Sequence, residues 1–228
     1  MGNTFTVGIK NYKSLQKKLQ KWKQAPEIVS KKMVSNFKSS APGWIAKEVC
    51  KVYNIKQSEV KPSKNNFGGK KIGNIRVSGK TIAEAEIVYQ GRLLTLTHFD
   101  LSPTAPPHVR KAYTIKAKIK KGKKKTIGKV KKLTPEQQKN VGKNFKRQGK
   151  RNSPKSPPML LHTGNRKEGG INYIPFQRIS QQRSDLKAVK TLSLPQMVSN
   201  PVVKENIDKV LTEKLGGKLE EQMKKYMK

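Results

Sequence analysis

Lysine is the residue type whose frequency and spacing in this 228-residue chain could support chemistry. In residues 114–127, TIKAKIKKGKKKTI, lysines first alternate with small or apolar residues and then run together around one glycine. A lysine ammonium group acts as a point charge, so it binds phosphate or carboxylate groups without a fixed geometry. The side chains predicted to contact nucleic acid or an acidic partner are Lys116, Lys118, Lys120, Lys121, Lys123, Lys124, Lys125, Lys131, Lys132, Lys143, Lys146, Arg147, Lys150 and Arg151.

Residues that could carry catalysis are sparse and poorly spaced. His98, His108 and His162 are the three histidines, and none is spaced with Cys or another His as metal ligands usually are. The sequence contains no Walker loop, no GxSxG motif and no glycine-rich dinucleotide fingerprint. We therefore expect no enzyme activity, no cofactor and no metal site.

The charge balance defines the class of partner. The chain has 51 Lys and Arg against 14 Asp and Glu, a formal net charge of +37, and 33% of its residues are hydrophobic. Such a charge repels copies of itself and attracts polyanions, so we expect nucleic acid or a large assembly with acidic walls as the partner. A membrane is not expected, because no run approaches the roughly 20 apolar residues of a spanning helix and the amphipathic segments lack a clean apolar face opposite a basic one.

The lysine-rich segment must be positioned by ordered elements, and residues 70–99 are the clearest candidate. Ile75 and Val77 alternate with polar neighbours, and residues 82–89 and 93–99 are rich in β-branched and apolar side chains. This pattern predicts a meander of three short strands. Because a small sheet is marginal in water alone, it must bury one face against the amphipathic segments that flank it.

Helices are predicted on the N-terminal side of this sheet, after a short leading strand over residues 5–9. Apolar residues spaced by three or four positions predict one helix over residues 12–22 and a second that begins at Pro26. We expect Pro42 and the following glycine to end that helix, and a third helical piece to start at Trp44.

On the C-terminal side, residues 171–194 are predicted to supply closing strands beside the central meander. A helix with Pro201 near its start follows, and we expect Gly216 and the next glycine to interrupt it. The predicted core residues of the whole fold are Leu15, Leu19, Trp22, Val29, Met33, Ile82, Ile87, Leu94, Leu96, Val189, Leu192, Ile207 and Leu211.

Together these elements predict an α+β fold, with N-terminal helices and a C-terminal helix packed on a small, mainly antiparallel sheet. Residues 1–100 hold the leading strand, the helices and the central sheet, and residues 171–228 return to the same domain. Residues 101–170 form a basic hairpin and loop excursion between them. Neither half of this excursion offers much apolar surface, so we expect it to stay mobile until it meets a partner.

Sequence-specific DNA recognition is a separate hypothesis, raised by residues 49–65, which resemble a helix-turn-helix. Pro62 would end the supposed recognition helix after about one turn, and no array of Arg, Asn or Gln follows to read base edges. The sequence therefore favours contact with phosphates over recognition of bases.

The order of these pieces resembles the prophage minor tail protein Z family, the tail completion proteins of long-tailed bacteriophages. Residues 54–64, NIKQSEVKPSK, look like its opening, and residues 79–103 look like its strand with a leucine-rich element. The lysine hairpin and the proline-containing entry into the last helix, residues 192–223, are similar to the family's later parts. The chain departs from the family where a small-apolar patch is replaced by Gly128 and basic neighbours.

The resemblance implies a structural virion protein that acts late in tail assembly. Such a protein would sit at the head-proximal end of the tail, in a ring often of six copies, and would prepare the tail to join a filled head. Its neighbours would be the tail tube or terminator, neck and tape-measure proteins, with non-specific contact to packaged DNA, after assembly in the host cytoplasm. The alternative is a free-standing non-specific nucleic-acid-binding protein, which an aromatic content of 6% without a clustered stacking platform disfavours.

Overall fold

The computed structural model describes residues 3–10, 12–20, 26–62, 74–107, 111–131, 157–163, 172–179 and 185–226. Within them the fold is α+β, as predicted, with helices and small antiparallel sheets. The chain divides into two compact units. Unit 1 comprises Met1–Leu94 and Leu192–Lys228, and unit 2 comprises Thr95–Thr191.

The bounds of the elements are as follows. The helices are α1 (Tyr12–Gln20), α2 (Pro26–Val52), α3 (Gln57–Val60), α4 (Leu194–Val198) and α5 (Pro201–Tyr226). The strands are β1 (Asn3–Gly8), β2 (Asn74–Ser78), β3 (Glu86–Gly91), β4 (Leu93–Thr95), β5 (Asp100–Ser102), β6 (Tyr113–Lys118), β7 (Lys125–Val130), β8 (Met159–Thr163), β9 (Asn172–Arg178), β10 (Leu186–Ala188) and β11 (Lys190–Ser193).

The sheet of unit 1 has the antiparallel order β1-β3-β2. Ile87 and Tyr89 on the central strand β3 are fully buried, because alternate residues of a strand point to the same face. The predicted third strand over residues 93–99 does not join this sheet. The leading strand β1 occupies the second edge of β3, while β4 pairs with β11 and Leu96–His98 form a 3-10 turn.

The two long helices of unit 1 are each continuous, which corrects two predicted breaks. Helix α2 passes through Pro42 although proline has no N–H to donate to the preceding turn. Phe37 before it and Ile45 after it are both buried, so packing of one apolar stripe against α5 outweighs the lost hydrogen bond. Helix α5 likewise passes through the glycine pair, since Leu215 and Leu219 on either side are buried.

Unit 2 contains two three-stranded antiparallel sheets, β5-β6-β7 and β10-β9-β8. Its core cluster consists of Leu96, Leu101, Ile115, Ala117 and Leu160. Parts of the basic segment, for which the sequence predicted little apolar burial in either half alone, thus share one core cluster with Leu96. The apolar partners come from chain segments before and after the hairpin, and neither segment alone indicates the packing.

The strands predicted over residues 171–194 also belong elsewhere than expected. Strand β9 pairs with both β10 and β8 in unit 2, so these strands do not close the sheet of unit 1. Pairing of β10 stops at Ala188 because Pro175, the next position on β9, has no N–H to donate. The Pro175 carbonyl still accepts a hydrogen bond from the Val189 N–H at 2.7 Å.

Nine of the predicted core residues are buried in the described part of the chain: Leu15, Val29, Met33, Ile82, Ile87, Leu94, Leu96, Ile207 and Leu211. Val189, between β10 and β11, and Leu192, on β11, are half-buried. Trp22 and the side chain of Leu19 lie outside the described residues.

A candidate polyanion-binding surface

Strands β6 and β7 form an antiparallel hairpin at the centre of the lysine-rich segment. Its turn, residues 119–124, contains Gly122 with a φ of 115°, a conformation that other residues rarely adopt. Residues 111–131 carry ten lysines and no Asp or Glu. The hairpin therefore presents a dense cationic surface on an ordered scaffold.

The strand period assigns a face to each lysine of β6. Ile115 and Ala117 are buried in the core of unit 2, so Thr114, Lys116 and Lys118 point to the opposite side of the sheet. We call this side the open face. Its members on the three strands are Asp100, Ser102, Thr114, Lys116, Lys118, Thr126 and Lys129.

The pairing register aligns these side chains in rows across the strands. One row joins Ser102, Lys116 and Thr126, which places the Lys116 residue between two residues that carry hydroxyl groups. A second row pairs Thr114 with Lys129. Cross-strand neighbours on one face have Cβ atoms about 4.5–5.5 Å apart, so the members of a row can contact one ligand together.

A β-bulge makes this alignment possible. The register shifts between Ile115 and Lys116, because Ile115 pairs with Gly128 whereas Lys116 pairs with Thr126. Ile127 is the extra residue, and it packs partly buried against the core cluster. Without the bulge, residues 126 and 129 of β7 would point to opposite faces.

The turn and the strand ends carry the remaining lysines. Lys120, Lys121, Lys123 and Lys124 are exposed around Gly122. Lys124 forms an ion pair with Asp100, with 3.0 Å between Nζ and Oδ1. Asp100 is the one carboxylate residue in the sequence from 95 to 131, so this segment itself supplies little negative charge to its lysines.

Unit 1 distributes its charges differently. On α5, Lys209 lies 2.7 Å from Glu205 and Lys225 lies 3.2 Å from Glu221, one helical turn apart in each pair. The hydrogen bond from Lys209, and then its charge, lower the pKa of the Glu205 carboxyl. Positive and negative charges are thus intermixed in the helices of unit 1 and segregated in the hairpin of unit 2.

The sequence-predicted contact residues divide into three groups. Lys116 and Lys118 lie on the open face, and Lys120, Lys121, Lys123 and Lys124 lie in the turn. Lys125 and Lys131 are exposed at the start of β7 and just beyond its end. Lys132, Lys143, Lys146, Arg147, Lys150 and Arg151 lie outside the described residues.

Five members of the open face are not among the predicted contacts: Asp100, Ser102, Thr114, Thr126 and Lys129. Strict alternation within β7 would place Lys129 on the face of Ile127, so Lys129 becomes a candidate only through the bulge. The three hydroxyl residues become candidates only through the cross-strand register, which no local pattern encodes.

The histidines do not assemble a metal site in the part of the chain described here. No group of three His, Cys, Asp or Glu residues there could hold a metal ion. His162 packs edge-on against the ring of Tyr173, with 5.7 Å between ring centroids, and His108 lies outside that part. Among the helices of the same residues, none combines the length and the apolar character needed to cross a membrane.

Comparison with known proteins gives no family assignment. No protein-family model, curated protein or solved structure matches this chain.

Proposed function

We propose that this chain is a structural virion protein of a bacteriophage or phage-like particle, a tail completion protein that enables head-tail joining. It acts at the head-proximal end of the tail as part of a homo-oligomeric ring, beside tail tube or terminator, neck and tape-measure proteins. The resemblance of residues 54–64, 79–103, 114–127 and 192–223 to the minor tail protein Z family supports this proposal.

The observation that carries the proposal is the ordered lysine hairpin of unit 2, where residues 111–131 hold ten lysines and no Asp or Glu. Unit 2 spans 25 Lys and Arg and four Asp and Glu residues in the sequence, and its hairpin holds lysines on an ordered sheet. An assembly joint around a passage for DNA needs such a surface, facing a polyanion, together with a body that packs against other subunits. We assign the role of that body to the helices and sheet of unit 1.

A ring of this protein requires countercharge. Each copy carries a formal charge of +37, so neighbouring copies repel each other unless a polyanion or acidic partner rings neutralise them. Packaged DNA and acidic walls of neighbouring proteins are the two sources of negative charge at a head-tail joint.

Deletion of the gene from the parent phage or prophage tests the proposal. We expect tails of normal length that fail to join filled heads, visible by electron microscopy, and rescue when the full chain is supplied in trans. If tails are missing or vary in length, the protein acts in the tube or as a length determinant, and the completion role is wrong.

The lysine hairpin also favours a second candidate, a free-standing nucleic-acid-binding protein without sequence preference. The two candidates differ in where the chain resides. A labelled chain that co-purifies with intact particles at a constant copy number supports the virion role, whereas its recovery only with free nucleic acid supports the second candidate.

A further inference from the structure

The open face of the β5-β6-β7 sheet differs from the hairpin turn in its chemistry. The turn offers lysines alone, whereas the open face sets lysines beside hydroxyl groups in cross-strand rows. Lys116, Thr126 and Lys129 are exposed, and Ser102 and Thr114 are half-buried. Ammonium and hydroxyl groups are both common donors to phosphate oxygens.

We propose that the open face binds the sugar-phosphate backbone of double-stranded nucleic acid without reading its sequence. The inference rests on the polyanion-binding role proposed above and names the partner of that surface. The row of Ser102, Lys116 and Thr126 provides one charged donor flanked by two neutral donors, a set that suits a phosphate group with several acceptor oxygens.

The spacing of the face fits a regular array of charges. Residues two apart on a strand, such as Lys116 and Lys118, lie about 6.6 Å apart, and adjacent strands lie about 4.8 Å apart. A duplex carries one negative charge about every 1.7 Å of its axis, and lysines that bind it release condensed counterions. The open face therefore sets three lysines against the regular charges of the duplex, with Asp100, opposite Lys118, as its one carboxylate.

The composition of the face distinguishes a duplex backbone from other nucleic-acid ligands. The seven residues of the open face include no Arg, Asn or Gln, the side chains that make the commonest specific contacts to base edges. They also include no aromatic ring on which an unpaired base could stack. Tyr113 and Tyr173 instead pack against the core cluster on the other side.

A binding experiment with the full chain tests the proposal. The probe is a labelled mixed-sequence DNA duplex, titrated at several salt concentrations, and the variant combines Lys116→Gln, Lys118→Gln and Lys129→Gln. If each lysine neutralises one phosphate, the slope of log affinity against log salt falls in magnitude by about 0.9 per residue replaced. The matched control combines Lys31→Gln, Lys38→Gln and Lys47→Gln, three exposed lysines of α2 with the same change of charge.

The hydroxyl groups give a second and independent readout. Ser102→Ala together with Thr126→Val should weaken duplex binding about threefold to tenfold. The salt slope should stay unchanged, because neutral donors release no counterions. If the triple lysine variant does not fold, the single variants Lys116→Gln and Lys129→Gln carry the same test, at about 0.9 each.

Three results would overturn the proposal. The open-face variant and the wild type could show equal slopes of log affinity against log salt, or the protein could bind a single strand more tightly than the duplex. The third is that polyglutamate competes with the labelled duplex as well as unlabelled duplex does. The last result would assign the surface to acidic protein.

These outcomes are distinct from the gene-deletion result. If deletion of the gene prevents head joining but the protein does not bind the duplex, the completion role stands and this inference is wrong. If the protein binds the duplex but its deletion leaves head joining intact, this inference stands and the completion role is wrong.

Discussion

The phenolic oxygen of Tyr113 on β6 accepts a hydrogen bond from the backbone N–H of Leu160 on β8, at 3.2 Å. The two residues are 47 positions apart in the sequence, and Leu160 is a buried member of the core cluster of unit 2. This bond links the lysine hairpin to the second sheet of the unit. The orientation of the open face thus depends on contacts that the hairpin alone cannot make.

Replacement of Tyr113 by Phe should therefore lower the stability of unit 2. The change leaves the ring in place and removes the acceptor of the Leu160 N–H, which is partly buried, so we expect a loss of about 1–2 kcal/mol in the free energy of unfolding. Denaturant unfolding of the full chain measures it. Tyr173→Phe, which retains the edge-on ring contact with His162, is the matched control. An equal effect of both substitutions would contradict a specific role for the Tyr113 bond.

Tyr89 should make the stability of unit 1 depend on alkaline pH. Its hydroxyl is buried in β3 and has no hydrogen-bond partner among the described residues, and burial raises the pKa of the phenol well above its ordinary value near 10. The unfolded chain releases this proton above about pH 10, whereas the folded chain retains it. The free energy of unfolding should consequently fall as pH rises beyond that point, with full stability below it.

The variant Tyr89→Phe isolates this contribution. It removes an unsatisfied buried hydroxyl, so at neutral pH we expect unchanged stability or a gain of about 1 kcal/mol. Above about pH 10 the variant should lose less stability than the wild type, as measured by denaturant titrations at the two pH values. A variant that is less stable at neutral pH would mean that the hydroxyl has a partner.

Gly217 in α5 should tolerate a side chain. A Cβ atom there would meet nothing within 4 Å, and the residue is exposed, so Gly217→Ala should stabilise unit 1 by about 0.5–1 kcal/mol through the lower entropy cost of ordering alanine. Thermal unfolding measures the gain. Gly79→Ala provides the opposite case, because its φ is 102° and its Cβ would lie 2.4 Å from the Glu84 carbonyl oxygen. Destabilisation by Gly217→Ala would argue against the continuous helix.

Asp100 should weaken polyanion binding in the native protein. The carboxylate forms an ion pair with Lys124, so Asp100→Asn frees one ammonium group and should increase the affinity for a DNA duplex at low salt. Stability should hardly change, since exposed ion pairs contribute about 0–1 kcal/mol. Glu205→Gln on α5 gives the same change of charge beside Lys209 and should affect binding less. Equal gains from both variants would indicate a response to net charge alone.

Local patterns in the sequence predict where the helices of unit 1 and several strands lie, but not that the two long helices are continuous. The stripe that contains Val29 and Met33 marks α2, and alternation of Ile115 and Ala117 with lysines marks β6. Such patterns reflect burial of one face, which is a local property of the chain. The α+β class follows from them.

Strand partners and unit boundaries could not be predicted in the same way. Pairing of β9 with β8, and of β4 with β11, depends on which edges remain unoccupied after the whole chain has folded. To predict that α2 continues through Pro42, one must know the packing that compensates for the lost hydrogen bond. The open face requires the bulge beside Ile115, which shifts the register by one residue and has no signature in composition.

The discontinuity of unit 1 has a consequence for the order of folding. Helix α2 packs against α5, yet all of unit 2 lies between them in the chain, so their contact closes a long loop at an entropic cost that grows with loop length. Strands β4 and β11, at the two ends of unit 2, are paired and thus about 4.8 Å apart. Once unit 2 has folded and these strands have paired, the loop that the α2–α5 contact must close shortens from residues 53–200 to residues 53–93 and 194–200. Early folding of the inserted unit should therefore accelerate completion of the other.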